Sequence, residues 1–213
     1  MKGIKKFSLV DQVYEQLKSE IVTLKRPMGS KLNVNELQEV LGVSCTPIRE
    51  AVNRLQQDGL VTYENNVGAH ILDLTPKDVE EIQHVGCLLH CEAAKLSMEK
   101  EDREKTAAEL SARLEDYKAV KTPQAESAAV TQFFKVFYKH CGNSRLEKSL
   151  FAIQGQQILL RNMYAAALTE RASDAEVFGA LTQAFASGDL PSVRLLITQN
   201  VQRMNDIIIK SLA

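Results

Sequence analysis

The sequence predicts a mainly α-helical protein in two parts, a small helical domain with a β-hairpin and a larger antiparallel helical bundle. Two observations carry this prediction. Before residue 75, three segments with helical spacing of apolar residues precede two short β-prone runs. After residue 75, only helical signals occur. A chain of 213 residues has room for two domains with separate cores, and we place them at 1–74 and 75–213.

Apolar residues spaced by three or four positions predict the first helix of the small domain. They are Leu9, Val13, Tyr14, Leu17, Ile21 and Leu24. The run Asn33-Val34-Asn35-Glu36 has the spacing of a capping box, with Asn in place of Ser or Thr, and predicts the start of a second helix. We expect this short helix to end at Leu41-Gly42, because glycine accepts the left-handed backbone that follows many helices.

A third helix is predicted after this turn. Ser44 is the expected N-cap, with its hydroxyl accepting a backbone N–H of the first turn, and Pro47 near the start removes no useful donor. Gly59 is expected to end the helix. The apolar stripe of the helix consists of Ile48, Ala51, Val52 and Leu55.

A different face of the third helix is short and polar. It comprises Cys45, Thr46, Arg49, Asn53 and Gln56. Short polar side chains beside an arginine that can bond with two N–H groups suit a helix that reads base edges in a DNA major groove. The alternative is an ordinary amphipathic helix whose polar face is only solvated.

Two β-prone runs follow the third helix, at residues 59–63 and 69–72. An Asn- and Gly-containing turn at residues 64–68 separates them, which predicts a β-hairpin. Three helices followed by a hairpin are typical of a winged helix-turn-helix.

An ordered set of motifs runs through residues 9–72. In chain order they are Gln12-Val13-Tyr14, Gly29-Ser30-Lys31-Leu32, Leu41-Gly42-Val43-Ser44, Thr46-Pro47-Ile48-Arg49-Glu50-Ala51-Val52, Leu55, Asp58-Gly59-Leu60-Val61 and Gly68. This set resembles the DNA-binding domain of the GntR family of bacterial transcription regulators. The resemblance implies a homodimer on a pseudo-palindromic double-stranded DNA operator, with Arg49 on a guanine edge or a phosphate and the wing tip at Gly68 in the minor groove. The candidate DNA-contacting residues are Asn35, Ser44, Cys45, Thr46, Arg49, Asn53, Asn66 and Gly68.

Three features depart from the pattern of that family. Cys45 and Asn35 stand where members often carry Arg, and the wing has no Lys or Arg between Tyr63 and Ile71. Residues 1–75 contain nine Lys or Arg and nine Asp or Glu, so the domain has no net charge to attract DNA. Each missing bidentate Arg removes about 1–3 kcal/mol of base discrimination. We therefore expect an operator unlike the typical site of the family, or a modest affinity.

The second part begins with a helix-start signal. Thr75 is the predicted cap, Pro76 takes the first helical position and Asp78 lies in the first turn. The predicted helical spans are 76–99, 101–120, 123–141, 144–168, 172–187 and 190–212. No apolar run is long enough for a membrane span and no secretory signal occurs at the N-terminus, which indicates a cytoplasmic protein without a membrane partner.

Further motifs punctuate this helical part. They are Asp78-Val79-Glu80-Glu81-Ile82, Ala93-Ala94-Lys95-Leu96, Phe133 with Gly142-Asn143-Ser144-Arg145-Leu146, and Ala184-Phe185-Ala186-Ser187-Gly188-Asp189. They resemble the all-helical effector-binding domain of the FadR subgroup of the same family, many members of which hold a divalent metal with one Asp and three His. Alignment on the motifs puts Val130, Phe134, Phe178 and Asn200 at those positions. Val and Phe cannot bind a metal and Asn replaces imidazole poorly, so the resemblance implies a metal-free, more apolar pocket and no cofactor.

Helix phase and this alignment select candidate effector-binding residues inside the bundle. Pairs one turn apart are Phe134 with Tyr138, Gln157 with Arg161, and Asn200 with Met204. The full candidate set is Phe134, Tyr138, Gln157, Arg161, Phe178 and Asn200. Arg161 can pair with an anion, so the expected effector is a hydrophobic or anionic small molecule. The alternative is that the Phe residues are plain core and that Arg161 is a surface charge.

A cluster of soft ligands supports a second hypothesis. His84, Cys87 and Cys91 share one stripe of a helix, and such a set suits a zinc ion or an oxidation sensor. Cys45, at a helix N-terminus, is a separate candidate for control by oxidation. The alternative is that these cysteines are small apolar residues of the core.

An enzyme is the least favoured class. The sequence contains no Gly-rich phosphate loop, paired-carboxylate constellation or nucleophile elbow. It therefore predicts a DNA-binding transcription regulator that responds to a small-molecule effector, with a metal or thiol sensor on the same scaffold as the alternative.

Overall fold

The computed structural model describes residues 8–64, 67–168 and 172–212. The chain divides into two compact units, with the boundary between Leu74 and Thr75. We refer to them as the N-terminal unit and the C-terminal unit. The described elements are all helices apart from one two-stranded hairpin, so the predicted mainly α-helical class is confirmed.

The described part of the N-terminal unit contains three helices followed by an antiparallel hairpin, which confirms the predicted winged helix-turn-helix. The elements are α1 (Leu9–Val22), α2 (Val34–Leu41), α3 (Cys45–Gln57), β1 (Val61–Glu64) and β2 (Gly68–Ile71). Val61 pairs with Ile71 at one end of the hairpin, and Glu64 pairs with Gly68 at the other. Asn65 and Asn66, at the predicted turn, lie outside the described residues.

Apolar and charged contacts hold α1 against α3. The side chains buried in this unit include Leu17, Ile21, Ile48, Leu55 and Leu60. Lys18 Nζ lies 2.9 Å from the carboxylate of Asp58, the C-cap residue of α3. Arg54, in the last turn of α3, lies 2.7 Å from Asp11 and stacks over the ring of Tyr14, 4.1 Å from its centre. These contacts fix the orientation of α3 on the rest of its unit.

Residues with a left-handed backbone follow the C-terminal ends of α1 and α3. Helix α1 stops at Val22, and Leu24, which we predicted inside the helix, adopts a left-handed backbone with φ 59°. The reversal lets the N–H of Lys25 donate to the carbonyl of Glu20 at 2.9 Å, and so one of the free carbonyls at the helix end is bonded. Gly59 ends α3 as predicted, with φ 68°.

Two predicted capping bonds differ from the structure. Ser44 is the N-cap of α3, but its hydroxyl accepts no backbone N–H. Pro47 occupies the third helical position, and its missing N–H removes one of the two donors that an N-cap normally uses. At α2, Asn33 accepts the N–H of Asn35 at 3.0 Å, while Glu36 accepts the side-chain amide of Asn33 at 2.8 Å instead of its backbone. An Asn cap carries its own donor, which competes for the carboxylate.

The described residues of the C-terminal unit form six helices. They are α4 (Pro76–Met98), α5 (Arg103–Ala119), α6 (Pro123–His140), α7 (Ser144–Ala167), α8 (Ala172–Ser187) and α9 (Leu190–Leu212). Each agrees with a predicted span to within two residues at either end. The predicted cap is confirmed, because Thr75 accepts the N–H of Asp78 at 3.2 Å and Asp78 accepts the N–H of Thr75 at 2.8 Å.

Aromatic side chains form the centre of the C-terminal unit. Phe133 and Phe137 on α6 and Phe185 on α8 are fully buried, and the ring centres of Phe133 and Phe178 are 5.0 Å apart. Helix α4 packs against α6, α7 and α9, and α5 packs against α6 and α8. Among the helices that the structure describes, none combines the length and the apolar character that crossing a membrane requires.

Candidate DNA interface and effector cavity

Helix α3 has the two faces that its sequence predicts. The apolar stripe of Ile48, Ala51, Val52 and Leu55 is buried. Exposed or half-exposed on the polar face are Cys45, Thr46, Arg49, Asn53 and Gln56. The Nε of Arg49 donates to the sulfur of Cys45 at 3.0 Å. This bond holds the guanidinium along the helix and uses only one of its five N–H groups.

A groove lies between α3, the start of α2 and the hairpin. It is lined by Lys31, Leu32, Asn33, Val34, Arg49, Val52, Asn53, Gln56, Tyr63, Gly68 and Ala69. Three predicted DNA-contacting residues, Arg49, Asn53 and Gly68, are therefore in one concave surface. The other described candidates stand at the starts of α2 and α3, outside the groove lining, and are Asn35, Ser44, Cys45 and Thr46. The remaining candidate, Asn66, lies outside the described residues.

An interior cavity lies among α6, α7, α8 and α9 of the C-terminal unit. It is lined by Glu126, Ser127, Val130, Arg161, Tyr164, Ala165, Asp174, Phe178, Asn200 and Met204. The volume of the cavity is about 20 Å³, which is enough for about one water molecule. Three predicted effector residues, Arg161, Phe178 and Asn200, line the cavity. The hydroxyl of Ser127 is buried beside them and has no hydrogen-bond partner among the described residues.

Arg161 is the central charge of this interior. Its residue is only 7% exposed. One guanidinium nitrogen donates to the hydroxyl of Thr131 at 2.9 Å, and another lies 3.5 Å from Nε2 of His90. No ion pair joins it to a carboxylate of the described residues. Burial lowers the pKa of Arg161 to about 10, because the charged form is desolvated, so the side chain still carries its charge at pH 7.

His90 connects Arg161 to two further predicted residues. Its ring stacks on Phe134 with centres 4.3 Å apart, and its Nδ1 lies 2.8 Å from the hydroxyl of Tyr138. Burial and the nearby charge of Arg161 lower the pKa of His90 to about 3, so its imidazole is neutral at pH 7. Since Arg161 can only donate, Nε2 is the acceptor and Nδ1 carries the proton. Phe134 and Tyr138 thus lie behind Arg161, and neither lines the cavity.

Two carboxyl groups at the cavity already have partners. Glu126 accepts the hydroxyl of Tyr117 at 2.7 Å. Asp174 accepts the hydroxyl of Tyr164 at 3.0 Å and lies 2.9 Å from the guanidinium of Arg203. Burial raises the pKa of Asp174, and the charge of Arg203 opposes this. Arg161 forms no ion pair with a carboxylate among the described residues.

Gln157, also predicted to bind the effector, contacts α4 instead. Its side-chain amide donates to the carbonyl of Ile82 at 3.1 Å. A Cβ placed on Gly86 would lie 2.4 Å from that amide nitrogen. Gln157 therefore fills the space that Gly86 leaves open, and it does not line the cavity.

The cysteine cluster places two thiols close together between α4 and α9. The sulfur of Cys87 lies 3.8 Å from the hydroxyl of Thr198. A hydrogen bond with Cys91 lowers the pKa of Cys87 to about 6 against the opposing effect of burial, and the same bond raises the pKa of Cys91. Within the described residues, no three His, Cys, Asp or Glu side chains are grouped as metal ligands, and His84 therefore completes no such set there.

Sequence reasoning missed several polar residues of both sites. In the C-terminal unit these are His90, Ser127, Thr131 and Asp174. Ser127 and Thr131 share a stripe of α6 with Phe134, so helix phase held a signal for them. His90 had no comparable signal, because its partners come from α6 and α7. Lys31 and Tyr63 of the groove were missed for the same reason, since backbone pairing places them there.

Comparisons with known proteins give a consistent picture. The profile of the bacterial regulatory proteins of the gntR family matches residues 9–71, and that of the FCD domain matches residues 81–203. The uncharacterized HTH-type transcriptional regulator YdhC of Bacillus subtilis is 38% identical over 93 residues, which are 44% of this chain and 42% of that protein. The chain thus matches less than half the length of that relative.

Two solved structures share the fold over nearly the whole chain. McbR/YncC of E. coli has a TM-score of 0.75 at 20% identity, covering 98% of this chain and 100% of that one. A GntR transcriptional regulator from Rhodococcus sp. RHA1 has a TM-score of 0.70 at 17% identity, covering 94% and 97%. With the winged helix-turn-helix, the helical unit and both profile matches in place, the chain belongs to the GntR family of bacterial regulatory proteins and carries the FCD domain that marks its FadR-type members.

Proposed function

We propose that the protein is a cytoplasmic transcription regulator that binds a specific double-stranded DNA operator as a homodimer. The observation that carries this proposal is the exposed polar face of α3, from which Arg49 and Asn53 reach the same groove as Gly68 of the wing. Arg bonds to guanine with two N–H groups, and Asn bonds to adenine in the same bidentate manner, so this pair suits major-groove readout. A homodimer presents two such helices and would read two half-sites of a palindrome.

Selection of bound duplexes from a random DNA library tests this proposal. We expect the wild-type full chain to enrich a short palindrome at physiological salt. Arg49→Ala removes a bidentate side chain worth about 1–3 kcal/mol per base contact, so it should lose the enrichment. Arg26→Ala serves as the matched control, because Arg26 pairs with Glu20 and does not line the groove. Equal enrichment by Arg49→Ala, or none by the wild type, would overturn the proposal.

We further propose that the cavity binds a small effector with an anionic group and an apolar body. Arg161 supports the anionic group, since a buried guanidinium without an ion pair is stabilised when an anion binds. The hydroxyl of Ser127, which has no hydrogen-bond partner among the described residues, and the amide of Asn200 would orient the molecule. Phe178 and Met204 would contact its apolar part.

Effector binding requires the cavity to change. The cavity as it stands, at about 20 Å³, has room for little more than one water molecule. A larger effector therefore displaces lining side chains and selects an expanded state of the C-terminal unit. If that state has a different DNA affinity, the two ligands are coupled, and each changes the binding of the other by the same factor.

Thermal stability in the presence of small carboxylates and phosphate monoesters tests the effector site. A compound that binds at a concentration of 100 times its Kd should stabilise the wild type by about 2.7 kcal/mol, and Arg161→Met should lose this gain. Met has an apolar side chain of similar length, and a melting curve of the variant without any compound measures the cost of losing the bonds to Thr131 and His90. Arg145→Met, at the exposed start of the same helix, is the control. Equal stabilisation of Arg161→Met would contradict the assignment of the anion to Arg161.

A thiol sensor is a second candidate because of the contact between Cys87 and Cys91. Its support is the lowered pKa of Cys87, which makes that thiol a thiolate at neutral pH. We propose no enzymatic role. Recovery of an effector in chemically altered form after incubation with the protein would overturn this part.

A further inference from the structure

The positive charges of the N-terminal unit divide into two groups. Three of its described basic side chains form ion pairs: Lys18 with Asp58, Arg26 with Glu20, and Arg54 with Asp11. The described basic residues of this unit without an ion pair are Lys25, Lys31 and Arg49. Two of these, Lys31 and Arg49, line the same groove. Two of the three described basic side chains without an ion pair therefore lie where the DNA interface is proposed, although the unit as a whole has no net charge.

Backbone hydrogen bonds place Lys31 beside the wing. The N–H of Leu32 donates to the carbonyl of Ala69 at 2.8 Å, and the N–H of Ile71 donates to the carbonyl of Ser30 at 2.9 Å. The segment before α2 is therefore paired with β2 on the edge opposite β1, with Lys31 facing His70 across an antiparallel bridge. These bonds use only the backbone, so the exposed side chain of Lys31 is left to reach outward.

The side chain of Lys31 extends toward the wing tip. A Cβ built on Gly68 would lie 3.5 Å from Cε of Lys31, one bond from its ammonium group. The wing itself contains no Lys or Arg between Tyr63 and Ile71, and it contains the acidic Glu64. An uncharged or acidic wing is poorly suited to DNA, because phosphate contacts by basic side chains supply much of the binding free energy.

We propose that Lys31 supplies the phosphate-binding charge of the wing, from outside the hairpin. Its ammonium contacts a DNA backbone phosphate beside the minor groove that the wing tip at Gly68 enters. Arg49 contacts the DNA in the adjoining major groove. Lys31 thereby positions the wing without reading a base. This inference rests on the proposed DNA-binding function and adds a residue to it.

The dependence of affinity on salt tests this role. The probes are a duplex selected by the wild type and a duplex of scrambled sequence, and the full-length variants are Lys31→Gln, Lys31→Arg and the control Lys25→Gln. One phosphate contact contributes about 0.9 to the slope of log K against log salt. Raising the salt concentration from about 50 to about 200 mM lowers the DNA affinity of both proteins. The affinity of the wild type should fall about 3.5-fold more, per bound chain, than that of Lys31→Gln. Lys31→Arg and Lys25→Gln should keep the wild-type slope.

Each outcome decides one claim. A reduced slope for Lys31→Gln, with equal loss of affinity on both duplexes, supports the proposal. An unchanged slope overturns it while leaving the DNA-binding function in place. A loss confined to the selected duplex assigns Lys31 to base readout and also overturns it. Absence of DNA binding by the wild type would refute the proposed function, and the role of Lys31 would fall with it. Melting curves of all three variants check that the fold is intact.

Discussion

The two units place their polar residues in opposite environments. In the N-terminal unit, Arg49, Asn53 and Lys31 are exposed side chains on elements whose cores lie behind them. In the C-terminal unit, Arg161 and His90 are buried among aromatic rings. The exposed groove residues therefore contribute little to the stability of the fold, whereas the cavity residues belong to the core that stabilises it.

This difference has a consequence for what each site tolerates. An exposed side chain changes without affecting the packing behind it, so the groove can gain or lose DNA contacts at little cost in stability. A buried polar group is tied to its partners, and its replacement affects folding and binding together.

Truncation of the aromatic core should have the largest effect. Phe133 is fully buried, so we expect Phe133→Ala to lower the free energy of unfolding by about 3–5 kcal/mol. Phe151 on α7 is 68% exposed, and Phe151→Ala should change the free energy by no more than about 0.5 kcal/mol. Urea unfolding followed by far-UV circular dichroism measures both. Similar losses for the two variants would show that the aromatic cluster is not the stabilising core.

The groove should accept a new charge at little cost in stability. Cys45→Arg places on the polar face of α3 the residue that the family often carries, and it should raise operator affinity by about 1–3 kcal/mol if the new guanidinium reaches a base. The free energy of unfolding should change by less than about 0.5 kcal/mol, because Cys45 is only half-buried. Titration of labelled operator duplex and a melting curve give the two values. A large loss of stability would mean that the groove is not independent of the core behind it.

The buried imidazole of His90 makes the C-terminal unit sensitive to acid. Its pKa is about 3 when folded and near 6.5 when unfolded, so the unfolded state binds the proton first and stability falls as pH falls below about 6.5. Between about pH 6.5 and 5, this should cost about 1.6 kcal/mol. Urea unfolding at both values measures it, and His90→Gln should show a difference smaller by that amount. The same dependence in His90→Gln would assign the effect to other groups.

The thiol pair should show its effect in reactivity rather than in stability. Alkylation of Cys87 should reach half its maximal rate near pH 6, because Cys91 stabilises the thiolate by a hydrogen bond. Cys91→Ala removes that bond, so the midpoint should move toward that of an ordinary thiol, about 8.5. Peptide mapping of alkylated protein by mass spectrometry resolves Cys87 from buried Cys141. An unchanged midpoint in Cys91→Ala would remove the support for a thiol sensor.

The sequence predicted local features well and long-range ones poorly. The helix bounds of the C-terminal unit, the cap at Thr75 and the end of α3 at Gly59 follow from neighbours in the chain, and the structure agrees with them. The missing bond of Ser44 was also a local matter, because Pro47 stands three residues later. By contrast, the neighbours of His90 come from α6 and α7. No periodicity within α4 could have placed it against Arg161.

The same limit applies to the candidate sites. Arg49, Asn53 and Arg161 were selected by helix phase, which needs only their own helix. Lys31 lies at the groove because its segment pairs with β2. The side chain of Gln157 fills the space beside Gly86 and does not line the cavity. Such placements depend on which elements meet, and a single sequence carries little information about that.

Operator affinity of the wild type, Arg49→Ala and Arg161→Met, each measured with and without a stabilising anionic compound, distinguishes the roles of the groove and the cavity. We expect Arg49→Ala to bind the operator weakly under both conditions. We expect Arg161→Met to bind as the wild type does without the compound but to show no response to it. Full DNA binding by Arg49→Ala, or an unchanged response of Arg161→Met, would contradict the assignment of DNA readout to the groove and of effector binding to the cavity.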